Sequence, residues 1–543
     1  MPVAVVTRVN GPLVEVSDLR GVAMFDQVTV KGLPGEVVSL RGERATVQMY
    51  EYTGGLMPGL PVEATGIPLS APLGPHLLGG VFDGLLRPLE QASMWLDPRS
   101  REGAETRSWR FTPLVAEGRA VEPGAPVGAV TMAGGLSYLV LASGGTVGSI
   151  RPAGEYPAEA PIATVGGHEM TMVRRWPIRR ALPYRERLAE PVPLITGQRV
   201  LDLLLPVQRG GTTAVPGGFG TGKTVLLQQI AKWCDADVVV YVGCGERGNE
   251  MADVISELGQ LGDPRTGGRL ADRTVMIANT SNMPMMAREA SIYTGVTVAE
   301  HFRDMGYDAV LITDSTSRWA EARREFASRS GALPAEEGYP ADLASAIAAF
   351  YERAGRVTTL GGRTGSVTIL GAVSPPGGDM TEPVTTHTQR FVRTLWSLDR
   401  DLAYARHYPA VSWEASFSRD DESLAQWHDR TGREGWAATR ARISALLAEA
   451  DHLSGIAELV GTAALHARER VVLLGGRLLR EGLLQQSALS PTDAYCTPER
   501  TIALAGTVLA AIDDCLALVS GGVPADEIES RDFSAVLRAK ESG

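Results

Sequence analysis

The run Gly217-Gly218-Phe219-Gly220-Thr221-Gly222-Lys223-Thr224 decides the fold prediction, because it matches the pattern G-x-x-x-x-G-K-[ST] at every position. Its glycines let the backbone curl so that several N–H groups face phosphate oxygens. An apolar, β-branched run at 212–215 precedes it, and a helical run at 224–233 follows it. This strand–loop–helix order predicts a nucleotide phosphate site rather than a glycine turn with an exposed lysine.

The phosphate loop, defined as residues 217–224, assigns roles to its last two residues. We expect Lys223 to reach the β- and γ-phosphates and the Thr224 hydroxyl to hold Mg²⁺. A carboxylate on the metal side is expected from Asp314, which ends the apolar run 309–314. An acid at a strand end is common, but the phosphate loop upstream favours the metal role over a solvated side chain.

A further strand, predicted at 238–242, leads into Gly243-Cys244-Gly245-Glu246-Arg247-Gly248-Asn249-Glu250. Ligands bind at the carboxyl ends of strands in open α/β sheets. We therefore expect Glu246 to orient and polarise an attacking water, and Arg247 to neutralise phosphate charge. From these residues alone, a solvated ion pair in a loop is an equal alternative.

Pattern changes along the chain predict its organisation. Val-rich runs before about residue 70 predict a small barrel or sandwich, and runs between 111 and 185 predict a separate β-rich insertion. Short apolar runs alternate with helical stretches from about 190 to 415, which predicts a parallel α/β core. The Ala-, Leu-, Glu- and Arg-rich stretch after 416 predicts a helical domain. The predicted core strands are 212–215, 238–242, 274–278, 309–313 and 366–373.

Composition limits the possible functions. The chain has 543 residues and a net charge of −11. This negative charge disfavours a protein that binds nucleic acid along its whole length, because such proteins usually carry a basic surface. No apolar run reaches the roughly 20 residues of a membrane helix, and the amino terminus lacks the layout of a signal peptide. We expect a cytoplasmic chain whose membrane role comes through partners. Its four cysteines form no C-x-x-C pair and are expected to be reduced thiols.

Five segments together resemble the catalytic A subunit of V/A-type rotary ATPases, and the resemblance covers nearly the whole chain. They are the phosphate loop, residues 243–250, Asn279-Thr280-Ser281-Asn282-Met283-Pro284, Asp314-Ser315-Thr316-Ser317-Arg318-Trp319-Ala320-Glu321-Ala322 and Ser374-Pro375-Pro376-Gly377-Gly378-Asp379. The resemblance implies a multidomain α+β fold. Its parts are an N-terminal β-barrel (1–70), a connection into the core (71–110), a β-rich bulge (111–185), a RecA-like P-loop α/β domain (186–415) and a C-terminal helical domain (416–543).

The resemblance also implies site residues. Catalytic roles fall to Lys223, Glu246, Arg247 and Asp314, with Arg318 as a supporting partner, and Mg²⁺ is expected on Thr224 and Asp314, partly through water. Nucleotide-binding roles fall to the phosphate loop, its neighbour and an adenine cage. These residues are Gly217, Gly218, Phe219, Gly220, Thr221, Gly222, Lys223, Thr224, Val225, Tyr408, Gln485 and Gln486.

Three departures from relatives concern the adenine cage, the phosphate loop and the carboxyl terminus. In the adenine cage, core packing is an equal alternative for Tyr408, and Leu483 stands where relatives carry an aromatic residue. Thr221 stands where eukaryotic relatives often carry a cysteine, so no redox switch is expected there. The chain ends soon after Asp532-Phe533-Ser534, so we expect a final helical segment of relatives to be missing or trimmed.

The implied function is ATP hydrolysis or synthesis with ATP/ADP and Mg²⁺ at the interface between A and B subunits. It is coupled to ion transport, expected to be proton transport, through a rotating stalk. Implied partners are a B-type ring subunit in an alternating A3B3 hexamer, central and peripheral stalk subunits and, indirectly, the membrane ion-translocating sector. No nucleic acid is expected, and the complex places this chain on the cytoplasmic side of the membrane.

Three alternatives share the nucleotide fold. A non-catalytic ring subunit binds nucleotide but typically lacks the phosphate-loop lysine and the glutamate. A RecA-like hexameric nucleic-acid translocase needs a basic surface with aromatic residues. A secretion-system ATPase shares the core but lacks the bulge.

Overall fold

The structure is a computed structural model that describes residues 4–89, 107–331 and 333–541. The chain divides into two compact units. The first unit comprises Met1–Ala189, Ala236–Val373 and Thr381–Phe391, and the second comprises Glu190–Asp235, Ser374–Met380 and Val392–Gly543.

In the first unit, the amino-terminal strands form one antiparallel sheet. In spatial order they are Val5–Asn10, Leu13–Ser17, Arg44–Met49, Leu33–Arg41, Asp26–Val30 and Val62–Pro68. The amide of Val62 donates to the carbonyl of Ala4, which joins the last strand to the start of the first and closes a barrel. Valines at alternate positions fill its core, as period-two patterning requires. The predicted amino-terminal β-rich region is confirmed.

The insertion contains two four-stranded antiparallel sheets. One sheet comprises Ser137–Leu141, Pro126–Thr131, Ser108–Pro113 and Gly154–Pro157, in that spatial order. The other comprises Ala120–Val121, Gly145–Ile150, Ala163–Val165 and His168–Met170. The strand Arg174–Pro177 then pairs with Ser70–Leu73, so the chain leaves the insertion beside the segment that leads to it.

The core of the first unit is a parallel sheet, as the apolar runs predicted. Its parallel strands in spatial order are Val81–Phe82, Thr274–Asn279, Val238–Cys244, Asp308–Asp314 and Thr364–Val373. Two strands extend it with antiparallel pairing, Gly355–Thr358 and Glu186–Arg187. The helices of this unit are Gly248–Gln260, Met285–Asp304, Thr316–Ser330, Leu343–Tyr351 and Pro383–Phe391. Every residue of Val238–Cys244 is buried, which explains why this strand reads as an uninterrupted apolar run.

In the second unit, the strand that precedes the phosphate loop is Thr212–Pro216. It pairs in parallel with Thr394–Leu395, which pairs in antiparallel with Phe417–Ser418. A short antiparallel pair joins Pro193–Leu194 to Val207–Gln208. The helices are Arg199–Leu204, Lys223–Trp233, Arg400–Tyr404, Asp421–Arg430, Trp436–Val460, Ala467–Leu479, Pro498–Ser520, Ala525–Glu529 and Ser534–Arg538. The predicted helical carboxyl-terminal region is confirmed.

Among the described residues, one helix, Pro498–Ser520, is long and apolar enough by length and composition to cross a membrane. The sequence predicts no apolar run of roughly 20 residues, and within this helix Asp513 and Asp514 interrupt the apolar residues. One face of the helix, including Leu504, Val508 and Ile512, is buried. That face packs in the helical part of the second unit, as the core helix of a bundle does.

The four cysteines are Cys234, Cys244, Cys496 and Cys515, and all are buried free thiols. Burial raises the pKa of the Cys244 thiol to about 12, so this side chain is neutral at physiological pH.

Candidate functional site

The predicted site residues fall in both units, and each set is described within its own unit. The phosphate loop, Val225, Tyr408, Gln485 and Gln486 belong to the second unit. Glu246, Arg247, Asp314 and Arg318 belong to the first.

The phosphate loop leaves the buried strand Thr212–Pro216 and enters the helix Lys223–Trp233. Gly220 and Gly222 have φ values of 79° and 82°, in the left-handed region that glycine adopts without strain. The Thr221 hydroxyl donates to the Gly218 carbonyl at 2.9 Å, and this hydrogen bond within the loop stabilises its conformation. The helix begins at Lys223, so its positive dipole end lies at the loop, which suits an anionic ligand.

Lys223 is held at the loop by two oxygens. Its Nζ donates to the carbonyl oxygen of Gly217 at 3.3 Å and to the hydroxyl of Ser374. Ser374 begins the segment Ser374–Met380, which belongs to the same unit as the loop. This serine was not predicted as a site residue, although its run Ser374-Pro375-Pro376-Gly377-Gly378-Asp379 contributed to the family resemblance.

Tyr408 lies beside the last glycine of the loop. A Cβ atom at Gly222 would be 3.2 Å from Tyr408 Cε1, so glycine leaves room for the ring. Tyr408 is 42% exposed, which argues against the alternative of simple core packing. Phe219 and Val225 are also exposed, at 91% and 52%. The loop and its neighbours thus present an accessible aromatic and apolar surface of the kind on which a base can stack.

The stretch that carries Gln485 and Gln486 follows a π-helix at Arg480–Leu484. The Gln485 side-chain amide donates to the Arg406 carbonyl at 3.2 Å. The Gln486 side chain is buried, accepts from the Arg199 amide at 2.9 Å and donates to the Gly197 carbonyl at 2.9 Å. Its backbone N–H donates to the Tyr408 carbonyl at 2.8 Å. Gln486 is therefore placed to position Tyr408 through the backbone.

We call residues 483–487 the base loop. Arg199 stabilises this loop by hydrogen bonds to its backbone. The guanidinium is fully buried and donates to the carbonyls of Leu483 at 2.6 Å and Gln485 at 2.7 Å. It also forms an ion pair of 2.6 Å with Asp493, whose second oxygen accepts from the Ser487 amide. Leu483 is completely buried, so its side chain packs in the core. Any contact between the base loop and a ligand must therefore come from the other residues of the loop.

Lys540 contacts the same loop from the carboxyl-terminal end of the chain. Its Nζ donates to the Glu481 carbonyl at 2.6 Å and to the Gln485 carbonyl at 3.3 Å. Burial lowers the pKa of Lys540. Burial also lowers the pKa of His407 to about 4, with the positive charges of Lys540 and Arg480 acting in the same direction. His407, the neighbour of Tyr408, is therefore neutral at physiological pH.

In the first unit, the predicted catalytic residues lie at the carboxyl edge of the parallel sheet. Gly243 pairs with Asp314 across neighbouring strands, so the segments carrying Glu246 and Asp314 leave the sheet side by side. Glu246 is partly buried, and its carbonyl accepts from the Ser281 amide at 2.9 Å. The sheet topology thus brings these two carboxylates to one edge, where α/β folds bind ligands.

Asp314 is buried, and one of its oxygens accepts from the Tyr241 hydroxyl at 3.4 Å. Burial, followed by the charge of Asp314, raises the pKa of Tyr241, so the phenol remains a neutral donor. The predicted magnesium ligands, Thr224 and Asp314, are hard oxygen donors that suit Mg²⁺. Within the described ranges, no group of three His, Cys, Asp or Glu residues could hold a metal.

Arg318 and Arg288 flank the turn before Glu246. A Cβ atom at Gly245 would be 2.7 Å from Arg318 Cβ and 3.1 Å from Arg288 Cδ, so only glycine fits between them. Arg318 forms hydrogen bonds of 3.0 and 2.9 Å with Glu321, and these raise its pKa, with a smaller contribution from the charge of Glu246. Arg288 was not predicted. Its Nε is buried without a hydrogen-bond partner, and its position on the helix Met285–Asp304 gave no local sequence signal.

Arg247 differs from the other arginines at this edge because its side chain is 72% exposed. It lies 3.8 Å from Glu250, three residues later. The ion pair of Arg247 is therefore with Glu250, whereas the sequence alternative had paired it with Glu246. An exposed pair of this kind contributes little to stability, so Arg247 is available to a ligand.

Four domain-family descriptions match the chain. They are the ATP synthase alpha/beta family β-barrel domain (residues 6–66), the ATP synthase alpha/beta subunit barrel-sandwich domain (103–179), the ATP synthase alpha/beta family nucleotide-binding domain (197–418) and the C-terminal domain of V and A type ATP synthase (425–525).

Individual relatives match over nearly the full length. A V-type ATP synthase alpha chain from Anaeromyxobacter sp. (strain K) is 50% identical over 541 residues, covering 98% of this chain and 93% of the relative. The A subunit of an A-type ATP synthase from Thermococcus onnurineus is 48% identical over 541 residues, covering 96% and 92%. Among solved structures, the assembled ATPase EscN from the type III secretion system of enteropathogenic E. coli has a TM-score of 0.67 and 21% identity. It covers 93% of this chain and 100% of its own, and it shares the fold.

Proposed function

Because this chain belongs to the family of V-type ATP synthase alpha chains and A-type ATP synthase A subunits, we propose that it is the catalytic subunit of a rotary ATPase. It hydrolyses or synthesises ATP and couples that reaction to ion transport, with protons as the expected ion. The observation that carries the proposal is the position of Lys223, Glu246 and Asp314, the residues expected to act in catalysis, each within its own unit. Each residue lies on the element that its role requires: a strand–loop–helix turn for the lysine and the carboxyl edge of a parallel sheet for the acids.

Within this proposal, Lys223 neutralises charge on the β- and γ-phosphates, aided by the N–H groups of the phosphate loop. Glu246 accepts a hydrogen bond from the attacking water and so orients and polarises it. Arg247 and Arg318 add positive charge beside the phosphates, and Arg288 joins them because its Nε lies unpartnered beside the same turn. Thr224 and Asp314 hold Mg²⁺, partly through water, and the ion supplies further charge neutralisation on the phosphates.

The base side of the nucleotide is assigned to Tyr408 and the base loop. Support comes from the exposure of Tyr408 beside Gly222 and from the hydrogen bond between the Gln486 amide and the Tyr408 carbonyl. Tyr408 stacks on the base. Gln485 lines the pocket, and Gln486 positions Tyr408.

The proposed partners are a B-type ring subunit in an alternating A3B3 hexamer, central and peripheral stalk subunits and, indirectly, a membrane ion-translocating sector, on the cytoplasmic side. Arg318 is engaged by Glu321 and Arg247 is close to Glu250, so both belong to this chain's own side of the site. The arginine that approaches the γ-phosphate from the opposite side is therefore assigned to the neighbouring B subunit.

Two alternatives are tested by the same preparation. A non-catalytic ring subunit would bind ATP without turnover when assembled with its partner. A nucleic-acid translocase would show turnover stimulated by single-stranded DNA or RNA.

The deciding experiment is steady-state ATP hydrolysis by the chain assembled with its B-type partner, with and without single-stranded nucleic acid. We expect turnover that depends on Mg²⁺ and is indifferent to nucleic acid. Nucleotide binding without turnover, or turnover that requires nucleic acid, would overturn the proposal.

A further inference from the structure

One segment of the second unit follows the phosphate loop from its first glycine to its last. A Cβ atom at Gly217 would be 2.9 Å from Leu398 Cβ, one at Gly218 would be 3.2 Å from Arg400 Nη2, and one at Gly222 would be 3.2 Å from Tyr408 Cε1. The Leu398 amide donates to the Pro216 carbonyl at 2.8 Å, so this segment is fixed where the loop begins. Residues 398–408 thus place an apolar, a cationic and an aromatic side chain along the loop.

The cationic side chain lies at the phosphate end. Lys223 Nζ donates to the Gly217 carbonyl, next to Gly218, and to Ser374. Arg400 Nη2 lies beside Gly218 and would be 3.7 Å from a Cβ atom at Gly378, in the segment that begins with Ser374. The lysine of this motif contacts β- and γ-phosphates. The Arg400 guanidinium is therefore at the end of the loop that receives these phosphates, opposite to Tyr408.

Arg400 differs from the arginines that serve the framework of this unit. Arg199, Arg393 and Arg480 each form an ion pair with an aspartate. Within residues 4–89, 107–331 and 333–541, the Arg400 side chain forms neither a hydrogen bond nor an ion pair, and the residue is exposed. Its backbone is well fixed, because the preceding residue, Asp399, caps the helix Arg400–Tyr404 through the amides of Asp401 and Leu402.

We propose that Arg400 is a second cation of this chain for the β- and γ-phosphates of the bound nucleotide, in addition to Lys223. The inference rests on the proposed nucleotide site and names a binding residue that the phosphate-loop motif does not contain. A guanidinium offers a planar fork of donors that matches two phosphate oxygens, whereas the lysine acts as a point charge. The absence of side chains at Gly218 and Gly378 leaves the space through which this fork reaches the ligand.

The proposal predicts which ligands depend on Arg400. Nucleotides that carry a β-phosphate gain the contact, and AMP does not. Replacement of Arg400 by alanine should weaken the binding of ATP–Mg²⁺ and ADP–Mg²⁺ roughly 10- to 100-fold, the range for one charge-assisted contact. Pyrophosphate–Mg²⁺, which has no base, should lose a similar factor. Arg400→Lys should lie between the wild type and Arg400→Ala, because it retains the charge but not the fork.

The test is a competition titration with the purified full chain at low ionic strength, using a fluorescent ATP analogue as the displaced probe. The competitors are ATP, ADP, AMP and pyrophosphate, each with Mg²⁺. The matched control is Arg430→Ala, which removes another exposed arginine of the same unit, whose side chain also forms no hydrogen bond or ion pair in the described part of the chain. Thermal melts of all variants verify that the fold is retained.

Three outcomes are informative. Weakened ATP, ADP and pyrophosphate binding with unchanged AMP binding, in Arg400→Ala but not in Arg430→Ala, supports the proposal. Unchanged affinities, or an equal loss for AMP, would overturn it, since the residue would then act on the base side or on loop structure. A wild-type chain that displaces no probe with any nucleotide would instead refute the proposed function on which the inference rests.

Discussion

Lys223 donates hydrogen bonds from one ammonium group to the hydroxyl of Ser374 and, at 3.3 Å, to the carbonyl oxygen of Gly217. Both acceptors belong to loops, and the lysine is only partly buried. The residue therefore positions charge at the phosphate loop and contributes little to the packed core.

This arrangement predicts that Lys223→Ala abolishes ATP turnover and leaves the fold intact. Charge neutralisation on the β- and γ-phosphates is lost, while no core contact is removed. The measurement is steady-state ATPase activity of the assembled complex beside a thermal melt of the chain. Lys232→Ala, near the other end of the same helix, is the control and should retain activity. Turnover near the wild-type rate in Lys223→Ala would show that the site has been misassigned.

Glu246→Gln should separate binding from chemistry. Glutamine keeps the size and hydrogen-bonding capacity of the side chain but removes the charge that polarises water. We expect ATP to bind with near wild-type affinity and the cleavage step to collapse. Single-turnover hydrolysis, compared with an equilibrium ATP titration, distinguishes the two effects. If binding and cleavage declined together, Glu246 would be a structural residue of the turn.

The third prediction concerns the arginine assigned to the neighbouring B-type chain. The chain alone should bind ATP–Mg²⁺ but hydrolyse it roughly 10³- to 10⁵-fold more slowly than the assembly, the usual contribution of such an arginine. The measurement is turnover at saturating ATP for the chain alone and for the chain reconstituted with its B-type partner. A lone chain that matched the assembly would place the missing arginine within this sequence, and Arg400 would be the first residue to test.

Arg199 provides a prediction about stability and positioning. The guanidinium and Asp493 form a buried ion pair, and the guanidinium also holds two carbonyls of the base loop. Arg199→Met should destabilise the chain by about 3–5 kcal/mol, because it leaves Asp493 buried without its partner. Arg199→Met/Asp493→Asn should recover part of that loss. Urea unfolding of both variants measures these changes in stability. An ATP titration should show a lower affinity, because the base loop loses the hydrogen bonds that fix its backbone. An unchanged urea midpoint in Arg199→Met would contradict a stabilising role for the Arg199–Asp493 ion pair.

His301 provides a prediction about acid sensitivity. Burial lowers its pKa to about 3, and the positive charges of Arg174 and His76 act in the same direction. The unfolded chain binds the proton below pH about 6.5, whereas the folded chain resists it until pH about 3. Stability contributed by the neutral imidazole is therefore complete above pH 6.5 and falls as the pH decreases, approaching about 1.4 kcal/mol for each pH unit.

His301→Phe keeps an aromatic ring at this position and removes the titrating group. Its unfolding midpoint should therefore depend less steeply on pH between 6.5 and 4 than that of the wild type. Urea unfolding at several pH values provides the measurement, and His168→Phe, at an exposed position, is the control. Parallel pH profiles for His301→Phe and the wild type would refute the prediction.

The elements that the sequence predicted well are those whose burial is uniform. The strand predicted at 238–242 is found at Val238–Cys244, because both of its faces are covered and the apolar run is continuous. Val81–Phe82 was not predicted, although it adds a parallel edge strand to the same sheet. Two residues carry no periodicity, so only the tertiary pairing with Met276 and Ile277 reveals this strand.

At the candidate site, motif spacing was enough to select the phosphate loop and the acids at strand ends as candidates, but not residues that come from distant segments of the chain. Ser374, Arg288 and Arg400 approach these motifs only because the folded chain places their segments there. The Gln486 side-chain amide accepts a hydrogen bond from the Arg199 backbone amide and donates one to the Gly197 carbonyl, so the role of Gln486 also depends on tertiary contacts. No local pattern distinguishes such a positioning residue from one that contacts the nucleotide.

The burial of all four native thiols makes the chain suitable for site-specific labelling. Maleimide dyes react with accessible thiolate, so the native cysteines should remain unmodified under mild conditions. A cysteine introduced for Ala463, exposed in the short turn Thr462–Ala464 after the longest helix, would be the reactive thiol. Intact-mass analysis should show no dye on the wild type and one on Ala463→Cys. A fluorophore there would report whether the helical domain moves during turnover of single complexes.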